Sequence, residues 1–108
     1  MFKNVNVRQA QILADSGVTI VDVRDPKEWA RGHIPGARLV TLASLRESGV
    51  AMLPKRGVLF VCAAGVRSQL AARLAAEAGV REIYSLVGGT NAWDKAGLPL
   101  TRELEIAV

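Results

Sequence analysis

The sequence predicts an α/β domain with a central, mostly parallel sheet and helices on both faces. Three observations carry that expectation. Short apolar runs such as Val58-Leu59-Phe60-Val61 lack the polar alternation of a half-solvated strand, so they suit strands covered on both sides. Those runs alternate along the chain with segments of helical spacing, as a parallel sheet with crossover helices requires. The chain has 108 residues and is 50% hydrophobic, which is enough for one core and too little for two. A single domain over 1–108 is therefore expected.

Taken in order, Asn6 suits an N-cap for a helix from Val7 to about Asp15, with Ala10, Leu13 and Ala14 at helical spacing and Gly17 beyond its end. The β-branched run from Val18 to Val23 predicts a buried strand. Asp25-Pro26-Lys27-Glu28 is a helix start, with Asp as N-cap, Pro in the first turn and Glu placed to cap back. Gly32 and Pro35 keep that helix short. A strand is expected over Ala37–Val40, and a short helix over Ala43–Glu47 ended by Gly49. Val58–Val61 is the clearest strand. Ser68–Ala78 is the clearest helix, with Leu70, Ala71, Leu74, Ala75 and Ala78 forming an apolar stripe before Gly79. Ile83–Leu86 predicts another strand, and Gly88-Gly89 turns the chain into a last helix, about Thr90 to Ala96, closed by Gly97 and Pro99. In such sheets ligands bind beyond the C-terminal strand ends, and both Asp22 and Cys62 fall there.

A net charge of +4 and a pI near 9.8 raise the question of nucleic acid. The basic residues are scattered, with only Lys55-Arg56 adjacent, and no aromatic residues interleave with them for base stacking. A mildly positive surface that draws small anions is the reading, with no nucleic-acid partner. No window approaches the roughly 18 apolar residues of a membrane span. The first residues lack an apolar core of signal-peptide length. One cysteine forbids an internal disulfide, and a thiol that must stay reactive suits a reducing compartment, so a cytoplasmic location is expected. Packing on the domain, disorder or truncation of a longer chain all stay open for the stretch 101–108, which ends in Ile106-Ala107-Val108.

The most informative segment is Cys62-Ala63-Ala64-Gly65-Val66-Arg67-Ser68. A lone cysteine beside an apolar strand is ordinarily a small buried hydrophobe. Here it stands at a strand-to-helix corner, where amide N–H groups converge and the helix dipole favours an anion. Gly65 supplies the positive φ that a tight loop of converging amides needs. Ala63, Ala64 and Val66 are small or uncharged and leave the backbone free to close around a ligand. Arg67 and Ser68 bring a cation and a hydroxyl to the helix start. The pattern describes an anion cradle with a nucleophile at its base.

The segment resembles the active-site loop of the single-domain rhodanese-like sulfurtransferases. Asp22-Val23-Arg24, continuing through Glu28-Trp29 to Gly32-His33-Ile34-Pro35-Gly36-Ala37, resembles the family's N-terminal signature, and Gly88-Gly89, Ala92-Trp93 and Ala96-Gly97-Leu98-Pro99 its C-terminal one. The resemblance implies a persulfide mechanism. The Cys62 thiolate takes sulfane sulfur from a small anionic donor such as thiosulfate, and cyanide, a small thiol or a protein thiol then accepts it. It implies that the loop amides from Ala63 to Arg67 hold the transferred sulfur and that no metal or organic cofactor is needed. Phosphatases of the related cell-cycle type carry five residues between Cys and Arg. Cys62 and Arg67 have four between them, a ring that suits one sulfur better than a tetrahedral phosphate. Some members place cationic or polar side chains at the second and third loop positions, where this chain has Ala63 and Ala64. A protein-to-protein sulfur relay and a silent redox-sensing or interaction domain remain as alternatives.

Other polar residues take structural readings. Asp22 and Arg24 are expected to pair and support the loops. His33, between Gly32 and Ile34, is expected to orient backbone, and with a lone Cys it falls short of a zinc site. Trp29 and Trp93 are expected to cover the sheet. Ser68 either donates to the Cys62 sulfur or caps the helix, and the Arg67 side chain either faces the crevice or lies back over the helix.

Overall fold

A computed structural model describes residues 1–102. The chain runs β1 (Lys3–Val5), α1 (Val7–Asp15), β2 (Thr19–Asp22), α2 (Pro26–Arg31), β3 (Arg38–Leu39), α3 (Leu42–Glu47), a 3-10 turn (Gly49–Met52), β4 (Arg56–Val61), α4 (Arg67–Glu77), β5 (Arg81–Leu86) and α5 (Gly89–Lys95). The five strands pair throughout in parallel in the order β1-β5-β4-β2-β3. The chain leaves β2 toward β3 on one side and leaves β4 toward β5 on the other. The crevice expected at such a reversal therefore lies beyond the ends of β2 and β4, whose last residues, Asp22 and Val61, are in register.

The two faces follow from the period-2 alternation of strand side chains. Val58 and Phe60 of β4, Val21 of β2 and Ile83 of β5 pack with Leu45 of α3 and Ala71, Ala72 and Ala75 of α4. Leu59 and Val61, with Ile20 and Leu86, pack on the opposite face with Ala10 of α1, Trp29 of α2 and Trp93 of α5. Helices thus cover both faces, and β4 is buried from Gly57 to its end. None of the helices among the described residues is long and apolar enough to cross a membrane.

The structure departs from the expected elements in identifiable places. β1 was not anticipated: Lys3 and Asn4 are exposed on an edge strand, and only Val5 enters the core. β4 and β5 begin earlier, at Arg56 and Arg81, which pair with each other while their side chains stay in solvent. The strand over Ala37–Val40 shrinks to Arg38–Leu39, and a 3-10 turn follows α3. α4 starts one residue early, at Arg67, with Val66 in the N-cap position and no side-chain cap. Of the 101–108 stretch, Thr101 forms a bridge with His33, and the residues from 103 lie outside the described ones.

Both predicted caps form as reciprocal boxes, Asn6 with Gln9 and Asp25 with Glu28. A buried ion pair fixes what lies between β2 and β3. The Arg24 guanidinium donates to both Asp22 carboxylate oxygens at 2.9–3.1 Å, and its Nη2 also donates to the Gly32 carbonyl at 2.7 Å. This ties the end of α2 to the end of β2. Replacing Asp22 by alanine would strand a buried guanidinium, and Asp22→Ala is expected to cost about 3–5 kcal/mol in urea unfolding. A loss below about 1 kcal/mol would show that the pair does not hold this connection.

Candidate active site

Cys62 follows β4 directly, and the loop 62–66 joins it to α4. The amides of Thr90 and Asn91, in the first turn of α5, donate to the carbonyls of Cys62 (2.8 Å) and Ala63 (3.0 Å). With its carbonyls drawn outward, the loop presents its N–H groups inward. That approach needs glycine on both sides. Gly65 has φ +93°, and a Cβ there would sit 2.9 Å from the Gly88 nitrogen and 3.2 Å from the Leu86 carbonyl oxygen. At Gly89 a Cβ would overlap the Cys62 and Ala63 carbonyl oxygens. The pair Gly88-Gly89 therefore belongs to the site as well as to the turn.

The Cys62 sulfur lies at the focus of this arrangement. The Gly65 N–H donates to Sγ at 3.1 Å and the Ser68 N–H at 3.4 Å, with the Ser68 Oγ 3.6 Å away. The thiol is only 1% exposed, yet its surroundings are polar on the loop side. Burial pushes its pKa up, but the Ser68 hydroxyl and the amides of Ser68, Gly65 and Ala64 outweigh that, and the thiol lies below its ordinary value. The Ser68 hydroxyl thus serves the sulfur and not a helix cap. It is braced in turn by the buried Ser85 hydroxyl of β5 at 2.8 Å. The hydrogen bonds to Sγ come from fewer amides than the five from Ala63 to Arg67 expected to ring the outer sulfur.

Arg67 reaches across to α2. Its Nη1 and Nη2 donate to the two carboxylate oxygens of Glu28 on α2, at 2.7 and 2.9 Å. The hydrogen bond from Arg67 holds the Glu28 carboxyl down at about 2, and Glu28 in turn raises Arg67. The stability this pair contributes is present above the ordinary carboxylate value of 4.5 and is lost as pH falls through about 2. Glu28 also keeps its capping role, accepting from the Asp25 N–H at 3.4 Å.

The remaining predicted residues stand apart from the sulfur. Asp22 is beside the β4 end in register, but Arg24 occupies its carboxylate. The His33 Nδ1 meets the Trp29 carbonyl at 3.0 Å, and its ring stacks on Trp29 with centroids 3.4 Å apart. Its main chain exchanges two hydrogen bonds with Thr101. Trp93 covers the sheet and donates Nε1–H to the Pro99 carbonyl. Two contributors escaped the sequence reading, Ser85 and the partner role of Glu28. A serine inside Ile83-Tyr84-Ser85-Leu86 was the available signal for the first. Among the described residues no group of His, Cys, Asp and Glu could hold a metal ion.

The Cys62 thiol, its pKa lowered, stands among main-chain amides at the reversal point of a parallel α/β sheet, an arrangement suited to thiolate chemistry. Residues 7–96 match the rhodanese-like domain, and the chain belongs to that family. It is 33% identical over 96 residues to the thiosulfate sulfurtransferase GlpE of Pseudoalteromonas translucida, covering 88% of this chain and 91% of that one. A rhodanese-related protein from Thermoplasma volcanium superposes with a TM-score of 0.84 at 26% identity, over 94% of this chain and 99% of the other. A Rhodopseudomonas palustris protein described as a possible tyrosine phosphatase superposes at 0.80 with 34% identity, over 93% and 85%.

The pH dependence of Cys62 alkylation is expected to turn over below the ordinary thiol value of 9.0. Ser68→Ala should move that midpoint up, because the hydroxyl helps hold the thiol below its ordinary value, and should slow alkylation at neutral pH. An unmoved midpoint would mean the hydroxyl does not support the sulfur.

Proposed function

We propose that this chain is a sulfurtransferase in which Cys62 carries sulfane sulfur as a persulfide within the loop Ala63, Ala64, Gly65, Val66, Arg67 and Ser68. The donor is a small anionic sulfur compound such as thiosulfate, and the acceptor is cyanide or a thiol on a small molecule or a protein. Residues 1–108 act as one domain, and a reducing compartment such as the cytoplasm suits the free thiol. One observation carries the reading. The Cys62 sulfur is aimed at by the Gly65 and Ser68 amides, on a loop whose Cys62 and Ala63 carbonyls are tied away to α5.

The chemistry follows from that geometry. The Cys62 thiolate attacks the outer sulfur of thiosulfate. A Cys62–S bond forms, the S–S bond of the donor breaks, and sulfite leaves with its electron pair. The new terminal sulfur carries the negative charge, and the loop amides meet it without reorganising. An acceptor thiolate or cyanide then attacks that sulfur, and the Cys62 thiolate is regenerated. Neither step requires a general base, and His33 is engaged with Trp29 and Thr101. The GlpE relative is named for the same reaction and matches nearly the full chain, which supports the assignment.

The neighbour described as a possible tyrosine phosphatase raises phosphate-ester hydrolysis. That chemistry needs a guanidinium turned onto the phosphoryl oxygens. Arg67 is instead bound through both terminal nitrogens to Glu28, and its loop is one residue short of the phosphatase ring. Sulfur transfer is the better reading.

Treatment with thiosulfate is expected to add one sulfur atom to Cys62 in intact-protein mass spectra, and cyanide should remove it. Cys62→Ser should take up none and lose all turnover while unfolding like the wild type. Uptake by that variant, or none by the wild type from any sulfane donor, would end the proposal. An aryl phosphate should give no Cys62-dependent release of phenol, and robust release would transfer the assignment to phosphatase chemistry.

A further inference from the structure

We infer that Glu28 sets the donor preference of this site: by neutralising Arg67 it makes the mouth favour organic persulfides, R–S–SH, over the dianion thiosulfate. The inference rests on Cys62 being a sulfur carrier and adds which donor it is built to meet.

Three observations converge on it. First, Arg67 is the sole charged residue between Cys62 and Ser68, and Glu28 engages both of its terminal nitrogens through both carboxylate oxygens. A pair of that geometry presents little net charge to an approaching anion. Second, Arg24, a further cation felt at Glu28, is buried and committed to Asp22 and the Gly32 carbonyl. Third, the exposed side chains within the loop, and Val87 of the segment packed against it, are apolar. Val66 is 75% exposed and Val87 55%, and Ala64 is exposed as well. Val87 stands between Leu86 and Gly88, the two residues that crowd Gly65.

These features suit a donor with charge only at its sulfur end and an uncharged body. The main-chain amides hold the transferred sulfur, and Val66, Val87 and Ala64 face the carbon skeleton of R. A sulfonate group, with its remaining negative charge, meets Arg67 already held by Glu28 and Arg24 already held by Asp22. The step stays balanced. The Cys62 thiolate attacks the outer sulfur of R–S–SH, the donor S–S bond breaks, and its electron pair leaves on R–S⁻. That thiolate takes the proton the outer sulfur carried, leaving R–SH and the Cys62 persulfide anion.

The test is stopped-flow persulfide loading of Cys62 by thiosulfate, cysteine persulfide and a neutral peptide carrying a cysteine persulfide, in wild type and Glu28→Gln. Glutamine keeps an oxygen for the α2 cap and removes the charge that cancels Arg67. The expected result is that the ratio of thiosulfate to cysteine-persulfide rate constants rises about tenfold in Glu28→Gln, a modest value for one freed, half-exposed charge. Intrinsic donor reactivity cancels in that ratio. Thiosulfate loading of Glu28→Gln should also fall with added salt, while that of the wild type stays nearly flat. The double variant Glu28→Gln/Arg67→Gln should return the ratio to within about twofold of wild type, since the effect runs through Arg67. Whichever persulfide loads faster identifies a small-molecule or a protein-borne source. A ratio unchanged in Glu28→Gln, or lowered, would overturn the role of Glu28. Failure of all three donors to load wild-type Cys62 would instead overturn the carrier reading, so the two failures are distinct.

Discussion

The site depends on the grip of α5 on the loop after β4. Thr90 and Asn91 offer amides that an α-helix leaves unused in its first turn, and these take the Cys62 and Ala63 carbonyls. A peptide plane has two ends, so fixing those two carbonyls outward turns the Ala63 and Ala64 N–H groups the other way, next in the chain to the Gly65 amide that donates to the sulfur. The cradle is therefore imposed from outside the loop, by an element that enters the chain after a full further strand. Two glycines, Gly65 and Gly89, allow the backbones to come this close, and a Cβ on either would meet main-chain atoms that cannot yield. Pre-aligned dipoles of this kind stabilise a sulfur anion without ordering cost at the moment of reaction.

A second layer of constraint places Glu28. Asp22 ends β2 in register with Val61, the residue before Cys62. Arg24 then links Asp22 to the Gly32 carbonyl just past α2. The short helix carrying Glu28 is thereby referenced to the same sheet edge as the nucleophile. Within one arm, a fully buried ion pair sets position and a partly exposed one sets the local field. The buried pair contributes geometry more than net stability, because desolvating both charges offsets most of their attraction.

How much of this was legible in the sequence depended on the range of each interaction. The caps at Asn6 and Asp25 close within three residues and were readable directly, although the reciprocal bond from Gln9 was not. So were the strand and helix flanking Cys62, since a fully apolar run and an apolar stripe report burial locally. β1 was not, because an exposed edge strand with Lys3 and Asn4 carries no apolar pattern. The direction of Arg67 was equally hidden. Its partner is 39 positions away, and Glu28 already had a sufficient local explanation as a cap. Ser68 shows the same ambiguity resolved by a distant residue. A serine at a helix start reads as a cap, whereas here Ser85, 17 positions on, turns its hydroxyl to the sulfur side.

A carrier of sulfur must hold its cargo and also release it, and the balance of forces at Cys62 fits that double demand. A free guanidinium near the persulfide would bind the anion strongly and hinder attack by an acceptor, since stabilising the loaded state as much as the transition state gains nothing in rate. Amide dipoles act at short range and reward one geometry. A neutralised Arg67 leaves them as the main source of stabilisation at the loop. The apolar residues at the mouth, Val66 and Val87, add contact without adding charge. In the proposed carrier, the loop would recognise where the sulfur sits more than what charge arrives with it. For a persulfide that must leave again, position is the property worth selecting.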